Sequence, residues 1–397
     1  MKPRFRRPEV GSHRSQQKLW QRILHDPGLL LHRMERRSGY DGPTPPALED
    51  VEAHFVPMSR RSYRLSSHLD RRMVSSRRRC PRLTLRHLLD RREEIEGSAK
   101  RVTYLFHTAF CGSTLLASCL DHPGVCLSYK EPLSLSQLCL AKPCSERPLA
   151  MTENEWRELI RSTVGLLSKS FHPSEVALIK PSNACNNAIS ELLSAARDGA
   201  RAILLYSNLT DFLCSTLKSD DRRRWVRHGL EWTCQSTPSH RILSSIDRRS
   251  LPDGAAAAYV WLWQIYAYLD ACESSDGSSV RSLDCEVFFS RPEETLLTAT
   301  EFLALPLPAE ELSRITSGKT FRTYSKAGLA DTPVDAVLRR LGLPLRRAET
   351  FDARRRRSLL EQTAAEHEKE IQTALAWARA VTSERPIPEA LPNTLLV

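Results

Sequence analysis

The residues best suited to chemistry lie between positions 101 and 132, where a glycine turn and a pair of hydroxyls follow a short apolar run. Cys111 and Gly112 form the turn, and Ser113 and Thr114 open a helix with an apolar face. The first N–H groups of a helix lack helical acceptors, and the helix dipole adds partial positive charge there. The turn therefore predicts a cradle for phosphate or a similar anion.

The elements around this turn predict an α/β fold. Apolar runs that are typical of buried parallel strands cover residues 102–106, 125–129, 176–180, 201–206 and 280–283, and helical patterns cover 152–170, 222–234 and 255–272. Their alternation predicts a three-layer sandwich with a mostly parallel central sheet. Such sheets bind ligands beyond the carboxyl ends of their strands, where the turn, Lys130, Glu131, Lys180 and Ser207 all fall.

The turn lacks the first glycine and the lysine of the nucleotide-hydrolase loop G-x-x-x-x-G-K-[ST]. Its shorter form, a strand followed by C-G-S-T-L-L and later by Glu131-Pro132, resembles the loop of the sulfotransferase family. Residues 280–284, the segment R-P-E-E-T-L at 291–296 and the segment E-F-L at 301–303 resemble later motifs of that family in the same order. The resemblance runs, with gaps, from about residue 102 to residue 326.

The resemblance implies a site for 3′-phosphoadenosine 5′-phosphosulfate (PAPS), whose product is 3′-phosphoadenosine 5′-phosphate (PAP). The loop that grips the 5′-phosphosulfate would comprise Cys111, Gly112, Ser113 and Thr114, with its P-loop-like turn. The family binds the 3′-phosphate through an arginine at a strand end and a serine eight positions later. In this chain those two positions are Ser207 and Ser215, and the basic residues of a late loop over the nucleotide would be Arg322 and Lys326.

Sulfuryl transfer also needs a base for the acceptor and positive charge near the bridging oxygen. Glu131 is the best candidate for the base, His107 is a second acid–base candidate, and Lys130 is a nearby cation. The family places a lysine or arginine two residues before the glycine, where this chain has Phe110. Other cations, among them Lys180, would have to replace it.

Composition narrows the class of protein. The chain has 397 residues, of which 41% are hydrophobic and 26% charged, so it can bury a large core. No apolar run approaches the length of a membrane span, and the basic start has no apolar signal region. The 11 cysteines form no C-x-x-C pair, which favours reduced thiols in a cytoplasmic protein and predicts no metal site.

The charge distribution predicts the organisation of the chain. Residues 1–100 hold 23 Lys plus Arg against 12 Asp plus Glu, which accounts for the entire formal excess of +11. We expect a basic, partly helical N-terminal extension over 1–100, a sulfotransferase-like domain over 101–330 and a helical C-terminal extension over 331–397. The basic extension suits an acidic partner, but it lacks the interleaved aromatic residues that stack on nucleic-acid bases.

Three functions remain open at this point. The first is a PAPS-dependent sulfotransferase with a small-molecule, glycan or peptide acceptor that provides a hydroxyl or an amine. The second is an ATP-dependent phosphotransferase on the same fold, for which Asp284 is the candidate acidic strand end. The third is a catalytically idle relative that binds a nucleotide or a partner.

Overall fold

The computed structural model of this chain describes residues 13–37, 44–70, 73, 80–143, 149–233, 241–274, 278–322 and 351–396. Its strands are β1 (Leu29–Arg36), β2 (Val51–Pro57), β3 (Arg82–Thr84), β4 (Val102–His107), β5 (Cys126–Lys130), β6 (Val176–Lys180), β7 (Ala202–Tyr206) and β8 (Val280–Asp284).

The helices of the first half are α1 (His13–His25), α2 (Arg60–Leu65), α3 (Leu85–Asp90), α4 (Arg92–Ser98), α5 (Ser113–Leu120), α6 (Leu133–Leu140), α7 (Glu153–Leu167) and α8 (Ile189–Ala195). Those of the second half are α9 (Leu209–Leu217), α10 (Asp220–Trp232), α11 (Arg241–Ser244), α12 (Asp253–Ser274), α13 (Cys285–Ser290), α14 (Pro292–Leu303), α15 (Ala309–Ser317), α16 (Lys319–Arg322), α17 (Ala353–Glu366) and α18 (Glu368–Val381).

Five strands form a parallel sheet in the order β5-β6-β4-β7-β8. Alternate residues of each strand enter different buried clusters: Tyr104 and Phe106 belong to one, and Leu105 to the other. The helices α7, α8 and α12 contribute to the first cluster, and α5, α13 and α14 contribute to the second. The predicted α/β sandwich with a mostly parallel central sheet is therefore confirmed.

The N-terminal quarter contains a second, antiparallel sheet in the order β1-β2-β3. Buried side chains of this quarter, among them Trp20 on α1, Phe55 on β2 and Tyr63 on α2, belong to the same apolar cluster as Tyr104 of the central sheet. The sequence patterns do not predict these strands. They make the N-terminal quarter part of the main core.

The segment after α2 crosses the carboxyl end of β5. The Leu69 N–H donates to the Lys130 carbonyl (2.6 Å), and the Leu133 N–H donates to the Leu69 carbonyl (3.1 Å). Arg60, at the start of α2, lies 2.6 Å from the buried Asp121 carboxylate and donates to the Cys126 carbonyl (2.8 Å). These contacts fix the N-terminal quarter against the edge where the predicted site lies.

The C-terminal region covers the edge of the sheet at β8, opposite the edge formed by β5. Within the C-terminal extension that the sequence predicts to be helical, α17 and α18 follow one another, and His367 leaves helical geometry between them. Beyond α18 the chain runs parallel to β8: the Ser282 N–H donates to the Asn393 carbonyl (3.0 Å), and the Leu395 N–H donates to the Ser282 carbonyl (2.8 Å).

Within the described ranges, no helix has the length and apolar content that a membrane crossing requires.

Candidate active site

The loop between β4 and α5, residues 108–112, has an unusual backbone. Ala109 and Phe110 have φ values of 69° and 54°, and Gly112 has a φ of 81°. Left-handed geometry is costly for residues with a Cβ atom and is concentrated at ligand sites. Two consecutive strained residues before a glycine therefore favour a functional loop over a simple turn.

Gly112 has a second constraint besides its φ. A Cβ atom at this position would lie 2.6 Å from Cζ of Phe289, which packs directly against the loop. Neighbouring contacts hold the loop to β7: the Thr108 N–H donates to the Leu205 carbonyl (3.2 Å), and the Cys111 thiol donates to the same carbonyl (3.3 Å). The chain thus folds the loop tightly against the sheet edge.

The start of α5 presents groups that could bind an anion. Ser113 and Thr114 are buried, yet within the described part of the chain neither hydroxyl has a hydrogen-bond partner. The first N–H groups of the helix are also without helical acceptors. The predicted residues Cys111, Gly112, Ser113 and Thr114 therefore lie together as a strand–loop–helix cradle, and the binding of PAPS there remains a prediction.

Four side chains form a second group at the same sheet edge, which we call the acid–base cluster: His68, His107, Glu131 and Lys180. The Lys180 ammonium donates to Glu131 Oε1 (2.5 Å) and lies 3.0 Å from His107 Nε2. His68 Nδ1 lies 3.1 Å from Glu131 Oε2, and His107 Nε2 lies 3.6 Å from Oε1. The Lys180 side chain is fully buried, and 17% of the Glu131 side chain is exposed.

Parallel strand register explains how this cluster forms. Lys130 and Lys180 end neighbouring strands and are paired across them, so Glu131 follows directly beside Lys180. The Glu131 N–H donates to the Lys180 carbonyl (2.6 Å), and Glu131 itself has a φ of 52°. The strained turn directs the carboxylate back toward the Lys180 ammonium.

Electrostatics set the protonation states of the cluster. Burial alone would raise the pKa of Glu131, but the charge of Lys180 holds that pKa well below its usual range. Burial and the charge of Lys180 lower the pKa of His107 well below its ordinary value. We conclude that near neutral pH the resting cluster contains an ionised Glu131 and a neutral His107.

His107 has little freedom to act as a base. Its Nδ1 accepts a hydrogen bond from the Ala109 N–H (3.0 Å), and its Nε2 lies 3.0 Å from the Lys180 ammonium and 3.6 Å from Glu131 Oε1. Its carbonyl accepts from the Asn186 side-chain amide (3.1 Å). His107 thereby links the acid–base cluster to the 108–112 loop, and its catalytic role remains a prediction.

Lys130 is engaged elsewhere in the structure. Its ammonium donates to the Arg64 carbonyl (3.2 Å) and lies 3.8 Å from Asp121 Oδ2. Burial lowers the pKa of Lys130, and Asp121 opposes that change. By contrast, burial raises the pKa of the Cys111 thiol in the loop, and the charge of Lys180 opposes that rise. Lys180 is therefore the better placed of the two lysines to act on an anion in the loop.

An unpredicted arginine lies beside one of the two predicted serines of the second phosphate site. Ser207 donates its N–H to Thr108 Oγ1 (3.4 Å), and its buried hydroxyl has no partner among the described residues. Arg222, on α10, donates to the Ser215 carbonyl (2.6 Å) and stacks over the Phe110 ring at 4.4 Å. A cation therefore lies between Phe110 and Ser215, although neither family position for a cation carries one.

The late basic residues are only partly described. Arg322 ends α16 as an exposed residue, and its carbonyl accepts from the Phe351 N–H (2.7 Å). Lys326 lies outside the described residues. Two other arginines reach this side of the sheet from α17: Arg357 binds Asp211 with both nitrogens (3.0 and 3.1 Å), and Arg356 stacks over Phe289 at 4.8 Å.

A separate apolar cavity of about 380 Å³ lies beyond the end of β7, between α9, α12 and the segment after α18. Trp261 forms part of its wall and donates its indole N–H to the Ser207 carbonyl (2.9 Å). The cavity therefore lies next to the carboxyl end of β7, which also contacts the 108–112 loop.

Asp284, the candidate acidic strand end, caps α13 by accepting from the Glu286 N–H (2.8 Å). Among the described residues, no three His, Cys, Asp or Glu side chains converge in a way that could hold a metal ion.

Comparison with known proteins gives matches in structure only. No family model matches the chain, and no curated protein matches it in sequence. Similar solved structures include the sulfotransferase domain from the curacin biosynthetic pathway, with 14% identity over 68% of this chain and 98% of that one and a TM-score of 0.36. A sulfotransferase from Mycobacterium avium has 16% identity over 66% and 82% of the two chains and a TM-score of 0.37. A sulfotransferase from Alicyclobacillus acidocaldarius has 13% identity over 73% and 98%, with a TM-score of 0.32.

Proposed function

We propose that this chain is a sulfotransferase that moves a sulfuryl group from PAPS to a hydroxyl or amine acceptor. The observation that carries the proposal is the position of the Lys180–Glu131 pair beside a strained, hydroxyl-bearing anion loop at one sheet edge. The acceptor oxygen or nitrogen would attack sulfur, the bond from sulfur to the bridging phosphate oxygen would break, and PAP would leave. The acceptor proton would pass to the acid–base cluster.

The structure supports this chemistry without the two family cations. Lys180 would stabilise charge on the bridging oxygen in place of a basic residue at Phe110, because its charge already acts on Cys111 in the loop. Arg222, next to Ser215, would supply the positive charge that Ser207 lacks for the 3′-phosphate. The positive charges that positions 110 and 207 lack would then be supplied by Lys180 and Arg222 from other parts of the fold.

Binding of an anionic donor would also change Glu131. The depressed pKa of Glu131 depends on the charge of Lys180. A sulfate or phosphate oxygen that enters the loop would compete with Glu131 for the Lys180 ammonium. A donor that draws the ammonium away would make the carboxylate more basic at the moment of transfer. Two further parts of the proposal, a cytoplasmic location and a small-molecule, glycan or peptide acceptor, rest on the sequence. The nine described cysteines are free thiols, which is consistent with the proposed location.

A thermal-shift titration with PAP, PAPS, ATP plus magnesium, and AMP tests the proposal. A ligand at 100 times its dissociation constant adds about 2.7 kcal/mol, which corresponds to about 3 °C for a chain of 397 residues. We expect selective stabilisation by PAP and PAPS. A larger, magnesium-dependent response to ATP would favour the phosphotransferase alternative, and PAP binding without turnover would favour an idle relative.

Two variants on the same helix locate the binding site. Ser113→Ala removes a hydroxyl that has no partner among the described residues, and we expect it to weaken PAP binding about tenfold, the loss of one charge-assisted hydrogen bond. Ser118→Ala is the matched control, because the Ser118 hydroxyl donates to the Thr114 carbonyl within α5 (2.8 Å). Equal effects of the two substitutions would place the nucleotide elsewhere.

A further inference from the structure

The N-terminal quarter contributes a side chain to the acid–base cluster. His68 lies in the segment that crosses the end of β5, and its Nδ1 is 3.1 Å from Glu131 Oε2. The backbone bonds of the next residue, Leu69, to Lys130 and Leu133 fix this segment on both sides of Glu131. The imidazole is therefore held against the carboxylate by the fold itself.

The two oxygens of Glu131 are both engaged. Oε1 accepts from Lys180 at 2.5 Å and has His107 at 3.6 Å, while Oε2 has His68 at 3.1 Å. A carboxylate with both oxygens in contact with cationic or N–H groups is a weak base, and the charge of Lys180 pulls the pKa of Glu131 well below its usual range despite burial. In the resting cluster, Glu131 is thus poorly suited to accept a proton directly.

His68 has the opposite arrangement. Its Nδ1 is buried against Glu131, and 11% of its side chain is exposed. The Nδ1–Oε2 contact falls short of hydrogen-bond geometry, and no hydrogen bond to Nε2 is found among the described residues. A carboxylate that faces Nδ1 keeps the ring proton on that atom and leaves Nε2 with a lone pair, and imidazole is the side chain best matched to proton transfer near neutral pH.

We propose that His68 is the general base of the transfer reaction and that Glu131 is its positioning residue. The inference rests on the proposed sulfotransferase function and deepens it. The acceptor O–H or N–H proton moves to His68 Nε2 as the acceptor attacks sulfur, and the electron pair of the broken sulfur–oxygen bond leaves with PAP. Glu131 stabilises the imidazolium that forms, while Lys180 remains available for the donor.

The inference makes the N-terminal quarter a functional part of the enzyme. The family resemblance begins near residue 102, so it would not supply this residue. The charged groups that face His68 are Glu131 from the turn after β5 and, behind it, Lys180 and His107 from β6 and β4. Asp70 lies two residues further along the same segment.

Turnover of PAPS with a panel of phenols, alcohols and amines tests the assignment in the full-length chain. We expect His68→Ala and His68→Gln to lower kcat by about 10²–10⁴ while PAP binding stays within twofold of wild type. The acidic limb of the wild-type pH profile should disappear in His68→Ala, and added imidazole should restore part of the rate. His228→Gln, which removes an exposed histidine on α10, is the matched control and should behave as wild type.

Three results would overturn the proposal. The first is a His68→Ala enzyme that keeps the acidic limb and at least half of kcat. The second is a loss of kcat in both His68 variants that imidazole does not rescue and that parallels a loss of PAP affinity, which would indicate a structural role. The third is a wild-type chain that does not respond to PAP, which would remove the proposed function itself and is distinguished by the binding assay.

Discussion

Replacing Lys180 by methionine should destabilise the protein through the carboxylate that it leaves behind. The Lys180 side chain is fully buried and its ammonium is 2.5 Å from Glu131 Oε1. Removal of one partner from a buried ion pair costs about 3–5 kcal/mol, because the other charge remains without compensation. Since 17% of the Glu131 side chain reaches solvent, we expect a cost near the lower end, about 3 kcal/mol.

The second substitution, Glu131→Gln, should recover much of that loss. The Lys180→Met/Glu131→Gln double variant has no buried charge in the pair. Its loss in the free energy of unfolding should therefore be smaller than the sum of the losses in the two single variants by about 2 kcal/mol. Urea unfolding monitored by tryptophan fluorescence gives the free energies, and a loss of 3 kcal/mol corresponds to about 4 °C for 397 residues.

The exposed pair Arg157–Glu153 provides the matched control. Its nitrogen–oxygen distance is 3.3 Å, but the two side chains are 53% and 42% exposed. The same cycle of substitutions there should give a coupling of about 0.3–0.5 kcal/mol. A coupling below 0.5 kcal/mol for Lys180 and Glu131 as well would refute the reasoning, because it would mean that water reaches the ammonium freely.

Further predictions concern the loop and the dependence of stability on pH. Gly112→Ala should cost about 2–4 kcal/mol, through its φ of 81° and the clash with Phe289, whereas Gly124→Ala, at the same φ with open space, should cost about 1 kcal/mol; equal costs in urea unfolding would exclude the clash. Burial lowers the pKa of His32 from 6.5 to about 4, so the unfolded chain takes up the proton first and about 3 kcal/mol of stability should be lost as the pH falls from 6.5 to 4. His32→Gln should flatten that interval, and an unchanged profile would contradict the assignment. The depressed pKa of Glu131 stabilises the fold above about pH 4.5 and that contribution disappears as the carboxylate protonates, so Glu131→Gln should show a shallower acid transition than wild type in the same titration.

The parallel sheet was predictable because its strands are apolar on both faces. All five predicted runs agree with the observed strands to within about one residue, and the glycine turn is located where the hydroxyl pair implies. Periodicity did not reveal β1 and β2. Their sequences, LLLHRMER and VEAHFVP, mix charged and apolar residues, and their burial depends on contacts with distant helices.

The acid–base cluster was predictable only in part. His107 and Lys180 each end an apolar strand at the carboxyl edge, and Glu131 directly follows β5 there; that position is the signal that finds them. His68 lies in a basic segment without periodicity, so only tertiary structure brings it to Glu131. The sequence likewise gives no signal that sets Arg222 apart from the other charged residues of α10, because its stacking on Phe110 depends on how α10 packs beside the loop.

The segment that runs beside β8 has a consequence for how the chain is made. About 100 residues separate β8 from its partner at 391–395, so at about 5–20 residues per second the ribosome needs roughly 5–20 s to deliver it. During that interval the N–H and C=O groups of Ser282 would form an open edge that could pair with another nascent chain. The sheet that carries the candidate active site therefore gains this protecting segment only after about 100 further residues have been made, and the speed of synthesis sets how long that edge is exposed to chaperones or to neighbouring chains on a polysome.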